Sequence, residues 1–437
     1  MYLSRRFYIL LTANALIIGL GFAFPLLFTI GKGLLCAFLA ILLTDAVLLY
    51  YKKAVKATRE CADRLSNGDD NKVVITVKSV YPFMIRTTVI DETPAVFQRR
   101  DVEYRLAVPA HEVRQLTYTL RPVRRGEYDF GKIRIFAHTM LGLVERRYTE
   151  GEDKNVKVYP SYLMLNHYEL LAMSNNLTDM GIKRIRRVGN NTEFEQIKEY
   201  VKGDEYRSIN WKASARRNQL MVNVYQEERS QQVYSVIDKG RVMQQAFNGM
   251  TLLDYSINAS LVLSYVAIHR EDKAGLITFS DDLDTSLAPS RRPGQMQHIL
   301  GALYNQRTNF SETDFSNLCV NVNKQISKRS LLVLYTNFSG MSALQRQLSY
   351  LKMLSRRHRL LVVFFEDSEL NDFIKSDKRT TEDYYQHVIA EKFAYEKRLI
   401  VTKLQQHGIL SLLTRPEALS IDVINKYLEL KQRQMLS

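Results

Sequence analysis

Two apolar runs stand at the head of the chain. From Phe7 to Gly31 no charged residue occurs, and from Gly33 to Tyr51 the one acid is Asp45. A helix that crosses a bilayer needs about 20 apolar residues. The two runs therefore supply two spans, meeting at a turn around Gly31-Lys32-Gly33, with Pro25 kinking or ending the first helix. Arg5 and Arg6 precede the runs, Lys52, Lys53, Lys56 and Arg59 follow them, and only Lys32 lies between. By the positive-inside rule both ends then face the cytosol. A cleaved signal peptide would have an apolar core of about 7–15 residues; the first run is longer, and a second follows at once. The expectation is a two-helix anchor over residues 1–55 in the cytoplasmic (inner) membrane. The lipid bilayer is then a partner, and both termini and the bulk of the chain lie in the cytosol. Asp45 lies near the cytosolic end of the second run. It is expected to reach headgroups, Lys52 or Lys53 rather than to act as an intramembrane functional group.

The rest of the 437 residues is long enough for two or three domains in all. The surplus of 61 Lys+Arg over 46 Asp+Glu, a formal +15, is the footprint of many nucleic-acid binders. No RNA-recognition signature and no interleaving of aromatic with basic residues accompanies it, and a protein held against an anionic bilayer carries such a surplus as well. No nucleic-acid partner is expected. Three cysteines, Cys36, Cys61 and Cys319, make no disulfide framework and no C-x-x-C pair.

Residues 54–70 read as a short polar helix leaving the membrane, then a boundary at Ser66-Asn67-Gly68-Asp69-Asp70. Short runs rich in Val, Ile, Thr and Tyr follow between turn residues, from Lys72–Ser79 to Val156–Tyr159. Seven such strands predict an antiparallel β-sandwich, domain 56–165. Residues 166–232 are polar and densely charged, with the only tryptophan, Trp211, in the stretch Glu199–Arg217. From Val233 onward apolar strands alternate with long helices, which predicts an α/β domain over 233–437 with a mostly parallel sheet covered on both faces. Ligands of such sheets lie beyond the carboxyl ends of the strands. That points to Asp238-Lys239-Gly240, Ser280-Asp281-Asp282 and Thr336-Asn337.

The sequence contains no P-loop, no dinucleotide fingerprint, no H-E-x-x-H and no nucleophile elbow, and its eight histidines are scattered. Cys319 reads as a buried small hydrophobe. Asp281, Asp282 and Asp284 read as a solvated hairpin turn rather than a cation site.

Two stretches carry a resemblance. EYVKGDEYRSINWKASARRNQLMVNVYQEER (Glu199–Arg229) resembles the signature of the bacterial domain-of-unknown-function fifty-eight family. Tyr200, Gly203, Asp204, Arg207, Ile209, Trp211, Ala215, Arg216, Leu220, Val222, Glu227 and Glu228 fall on its pattern. RPVRRGEYDFG (Arg121–Gly131) with LGLVERR (Leu141–Arg147) resembles the family's upstream region. The resemblance implies a membrane hairpin, a β domain, the signature, and a domain similar to von Willebrand factor type A. It also implies a gene often placed beside a MoxR-type AAA+ ATPase. The family's activity is undefined.

In the signature, Asp204 of the Gly203-Asp204 turn is suited to cap a helix, with Arg207 in reach of it. Arg216 offers a planar fork for Glu227 or Glu228. As a structural clasp the segment would seat Trp211 in a pocket of the α/β domain. As a docking face it would present Tyr200, Trp211, Lys212 and Arg216 to a partner.

A von Willebrand type A domain usually binds magnesium through Asp-x-Ser-x-Ser and a later Thr and Asp. Here the run is Asp238-Lys239-Gly240-Arg241-Val242, with Gly240 and Val242 in the hydroxyl positions, and Thr336-Asn337 stands where Thr-Asp would fit. Thr308 remains as a possible hydroxyl ligand, but Lys239 and Arg241 add positive charge. Asp238 is therefore expected to pair with Lys239 or Arg241, or to cap a turn, and no metal or other cofactor is expected. The leading expectation is a non-enzymatic membrane-anchored scaffold or adaptor that engages a MoxR-type AAA+ ATPase or its client. The alternative is a metal-dependent hydrolase using Asp204 or Asp281, which would need a pocket with two or more carboxylates.

Overall fold

The computed structural model of the chain describes residues 2–22, 24–97, 103–163, 165, 192–201, 206–227, 230–378 and 380–433. It divides into two compact units, Met1–Tyr159 and Pro160–Ser437. The architecture is mixed α+β, with antiparallel sheets in the first unit and a mostly parallel sheet in the second.

The first unit opens with β1 (Tyr2–Leu3), α1 (Arg5–Leu20) and α2 (Pro25–Tyr50). The helices pack together: the Phe7 and Phe38 rings lie 5.5 Å apart, and a Cβ on Gly31 would stand 2.7 Å from the Ile18 side chain. The chain thus reverses between Leu20 and Pro25, and the turn expected at Gly31-Lys32-Gly33 is helix instead. Pro25 starts α2 rather than ending α1, because a proline at the first helical position gives up no internal hydrogen bond. Gly31 serves the close approach of the helices, and Lys32 lies over the Phe28 ring at 4.3 Å. Among the described residues one helix, α2, is long and apolar enough to cross a membrane. Its 26 residues reach ~39 Å against a ~30 Å hydrocarbon core. The 16 residues of α1 reach only ~24 Å.

Strands β2 (Val55–Cys61), β4 (Asn71–Ser79) and β7 (Val113–Leu120) form one antiparallel sheet. In a second sheet β11 (Lys154–Tyr159) pairs with β3 (Arg64–Ser66) in parallel and with β8 (Gly126–Phe130) antiparallel. The third has the order β1, β10 (Val144–Glu150), β9 (Ile133–His138), β5 (Ile85–Asp91), β6 (Glu103–Val108). Their inward residues, among them Val73, Ile75, Val77, Ile85, Val89, Ile133 and Ile135, share one core.

Residues 54–70, expected as helix, contain β2 and β3. The reason is a period of two: Val55 and Ala57 are buried while Lys56 and Thr58 are exposed. Arg59 is consequently not a topology-setting surface charge. Its guanidinium is buried against the Asp91 carboxylate and donates to the Gly131 carbonyl at 2.7 Å, and the Tyr118 hydroxyl donates to the same Asp91. Asp45 also departs from expectation. It is fully buried and accepts hydrogen bonds from the Thr139 hydroxyl and, at 3.0 Å each, from the Leu143 and Val144 amides. The last turns of α2 are thereby tied to the start of β10.

In the second unit β12 (Thr192–Glu199) and β13 (Met221–Glu227) pair antiparallel, with α3 (Trp211–Arg217) between them in sequence. The main sheet comprises β14 (Gln232–Asp238), β17 (Lys273–Phe279), β18 (Leu283–Ser290), β19 (Leu331–Tyr335), β20 (Arg359–Phe365) and β21 (Leu410–Thr414). The short pair β15 (Ala246–Phe247) and β16 (Met250–Thr251) precedes its first helix. Strand order is β18-β17-β14-β19-β20-β21, all parallel except the antiparallel edge strand β18. The helices are α4 (Leu252–His269), α5 (Gln295–Tyr304), α6 (Phe315–Gln325), α7 (Met341–Arg357), α8 (Ser368–Lys375), α9 (Thr381–Gln406) and α10 (Leu419–Gln432).

Alternation along each strand sends residues to two faces. Val233 and Ile237 join the core under α4, α5 and α10, while Tyr234 and Val236 join the one under α6, α7 and α9. Burial on both faces is why these strands read as unbroken apolar runs. β18 escaped that pattern because its outward residues are exposed.

Candidate functional site

The carboxyl ends of β14, β19, β20 and β21 meet at one edge of the main sheet. Asp238 ends β14, fully buried. Its Oδ1 accepts from the Gly240 amide and the Thr313 hydroxyl, both at 2.8 Å, and its Oδ2 accepts from the Thr336 hydroxyl at 2.7 Å. Burial pushes the Asp238 carboxyl above the usual carboxylate range, and these three donors pull it back. Gly240 is required here: a Cβ would stand 1.9 Å from the Thr313 Oγ1. Thr313, which the sequence did not single out, thus fills the space that a serine at 240 would occupy.

Asp238 caps the turn at Gly240 and pairs with neither neighbouring cation. The Lys239 ammonium turns to Asp284 at 2.7 Å and to the Arg307 carbonyl at 3.0 Å, and that contact holds the Asp284 carboxyl below its usual range. Arg241 lies 4.0 Å from Glu312 at the surface. Thr308 donates to the Lys239 carbonyl at 2.7 Å rather than facing Asp238. Val242 packs against the core and lines a pocket. The acid cluster is a hydrogen-bonded turn, with Asp281 accepting from Ser280 and Ser311 and Asp282 from Asn317.

Tested against a magnesium ion, the set around Asp238 offers one carboxylate and two hydroxyls, and both hydroxyls donate to that carboxylate. A hard dication draws on several anionic oxygens, so these residues do not fit the usual shell. Among the described residues no group of three or more His, Cys, Asp or Glu stands at metal-binding spacing.

Beside Asp238, the same sheet edge opens into a pocket of about 540 Å³. Phe247, Phe338, Phe365, Phe393 and Leu413 make its apolar wall, and Asn337 and Lys397 its polar point. The Lys397 ammonium donates to the Asn337 Oδ1 at 2.6 Å. Burial pushes Lys397 down to about 8, with Asp367 pulling the other way. Two carboxylates, Glu366 and Asp367, and two further cations, Arg241 and Arg398, also line the pocket. Asp367 is engaged as the cap of α8 through the Leu370 amide and with Gln245, and Glu366 accepts from Asn371 at 3.3 Å. Lys397 was overlooked in the sequence although a signal exists: Phe393, Lys397, Ile400 and Leu404 recur at helical spacing, which puts the lysine on the inward face of α9.

The signature segment lies apart from this chemistry in sequence. Gly203, Asp204 and Glu228 fall outside the described residues. The Tyr200 and Tyr206 rings pack 5.8 Å apart. Arg207 sits exposed in a single 3-10 turn. Asn210 caps α3 through the Ala213 amide at 3.0 Å, and Asn218 ends it in the left-handed conformation. Ser214 fixes the helix to β13 by accepting from the Met221 amide at 2.8 Å. Trp211 does not fill a pocket, being 70% exposed, and Lys212 and Arg216 are exposed beside it. The sequence expectation of a buried tryptophan clasp is thus corrected. The cap residues Asn210 and Asn218 hold α3 in an orientation that turns its aromatic and basic residues outward.

Residues 196–374 match the family described as protein of unknown function DUF58. The uncharacterized protein YeaD of Bacillus subtilis (strain 168) is 29% identical over 235 residues, which cover 52% of this chain and 58% of that protein. The match thus spans less than two thirds of the relative's length. Among solved structures, the conserved hypothetical protein BatB from Bacteroides thetaiotaomicron gives a TM-score of 0.29 at 10% identity, over 46% of this chain and 100% of that one. The CARDB domain of the PF1109 protein from Pyrococcus furiosus gives 0.19 at 13% identity, over 25% of this chain and 94% of that one.

Proposed function

We propose that the chain, which belongs to the DUF58 family over residues 196–374, is a non-enzymatic membrane-anchored scaffold or adaptor. In this reading α1 and α2 form a two-span hairpin with both ends in the cytosol. The second unit engages a MoxR-type AAA+ ATPase or its client. The strand order of the main sheet, with its single antiparallel edge strand, supports reading that unit as similar to von Willebrand factor type A.

The observation that carries the reading is the attachment of α2. Leu26, Leu34, Leu39, Ile41 and Leu43 are all exposed along it, as a lipid-facing helix requires. At its end Asp45 is gripped by the β unit. An apolar helix so fastened is a mount rather than a loose tether. At the sheet edge Asp238 is occupied by three hydrogen bonds, which supports a role in holding the loops that shape the pocket. The hydrolase alternative has the pocket's two carboxylates in its favour, but Asp367 is engaged in capping and neither is Asp204 or Asp281.

The test is co-expression of a tagged full-length chain with a MoxR-type ATPase, followed by mild detergent extraction. Enrichment of the ATPase on the tagged chain is expected. Recovery at the level of an unrelated two-span membrane protein refutes the reading.

A further inference from the structure

The amino-terminal half of α9 is unpaired on one side. Its carboxyl-terminal half is fastened by Ile400 and Leu404 in the core. Upstream, Tyr385, Ile389 and Phe393 stand 72%, 54% and 49% exposed. Steps of four residues place these three and Lys397 along one gently winding stripe of the helix, ~18 Å from end to end at the helical rise. The stripe runs into the pocket, since Phe393 and Lys397 line it together with Asn337 and Phe338.

We propose that this stripe and pocket dock a protein segment that is apolar along one face and carries one carboxylate, which pairs with the Lys397 ammonium. The proposal rests on reading this unit as a protein-binding module. Charge complementarity selects the occupant. Lys397 donates to the neutral Asn337 amide; Asp367 acts on it through space, and among the described residues no carboxylate pairs with it in contact. A largely desolvated ammonium with no anion in contact is costly, and an arriving carboxylate relieves that cost. The lining sets three cations, Arg241, Lys397 and Arg398, against two carboxylates, Glu366 and Asp367, and the surplus of one positive charge matches a single carboxylate better than a phosphate dianion. A small molecule would fill the pocket and leave the stripe bare. An anionic bilayer would meet exposed Glu382 and Glu391 on the same helix.

The experiment selects binders for the full-length chain in lipid nanodiscs from a displayed library of about 12-residue peptides, the length that covers the stripe as helix. The expected winners carry an Asp or Glu among apolar residues, and they bind the Lys397→Met variant roughly tenfold or more weakly. Ile389→Asp, an exposed substitution that leaves the pocket intact, abolishes binding as well. Three results overturn the proposal: no enrichment over empty nanodiscs, winners without an acidic residue, or equal binding to both variants. A wild-type dimer in sedimentation that Ile389→Asp dissociates also overturns it, making a second copy of the chain the occupant. Peptide selection that succeeds while ATPase co-purification fails refutes the proposed function and leaves the docking site standing.

Discussion

Replacing Lys397 by methionine keeps the apolar stem and removes the charge. Lys397 is pushed down to about 8 from an ordinary 10.5. Between those two values the unfolded chain holds a proton that the folded chain releases, so stability rises with pH across that window. The cost of burying the ammonium is fully present below about 8 and gone above about 10.5. At roughly 1.4 kcal/mol per pH unit, that gap is about 3 kcal/mol. The substitution also loses the hydrogen bond to Asn337, worth about 1 kcal/mol. Lys397→Met is therefore expected to stabilise the second unit by about 2 kcal/mol near pH 7. The advantage shrinks through the window and is lost or slightly reversed near pH 11. Urea unfolding of the full chain in detergent, followed by circular dichroism, measures this. Wild type and variant are compared at each pH, so that titration of the buried tyrosines cancels. A difference that stays constant with pH, or a variant already less stable near pH 7, refutes the reasoning.

Other perturbations have equally definite outcomes. Gly240→Ser, which restores one hydroxyl of the adhesion-site pattern, is expected to destabilise by about 1–3 kcal/mol through collision with Thr313 and to give no magnesium heat in calorimetry. Adding Thr313→Ala should recover most of the stability, and a lack of coupling between the two in unfolding would count against the geometry. Asp45→Ala orphans three donors and is expected to cost about 3 kcal/mol or more, read as faster proteolysis of the first unit in detergent. Asp45→Asn should be milder, because the amide oxygen can still take both backbone amides while the amide nitrogen donates to the Thr139 hydroxyl, which accepts as well as donates. Arg59→Met strands the Asp91 carboxylate and should cost about 3–5 kcal/mol, whereas Arg59→Met with Asp91→Leu should be far milder; a double-mutant cycle on thermal unfolding decides.

The main parallel sheet was legible because burial on both faces leaves its strands as apolar runs, as in Leu331–Tyr335. β2 was mistaken for helix because its charges, Lys56, Arg59 and Glu60, look solvated, while the alternation of Val55 and Ala57 carried the true period. The turn between the first two helices was misplaced because Gly31-Lys32-Gly33 has turn composition. Gly31 is small for a different reason, the approach of Ile18. Asp238, Thr336 and Asn337 were placed correctly at the sheet edge, since a strand end can be read locally. Thr313 was not, because it lies 75 residues from the carboxylate it serves and no local pattern encodes that register. For Trp211 composition misled: a lone large aromatic suggests burial, and the asparagine caps that turn it outward act through geometry.

The grip on Asp45 has a consequence for biosynthesis. Its donors lie 94 to 99 residues further along the chain. At roughly 5–20 residues per second, the end of α2 leaves the ribosome about 5–20 s before Leu143 and Val144 do. On the anchored reading, the nascent helix must wait in the translocation machinery or at the bilayer surface with a bare carboxylate near its end. The step that seats α2 is then the completion of β10, so the anchor acquires its final depth only after the β unit has been made.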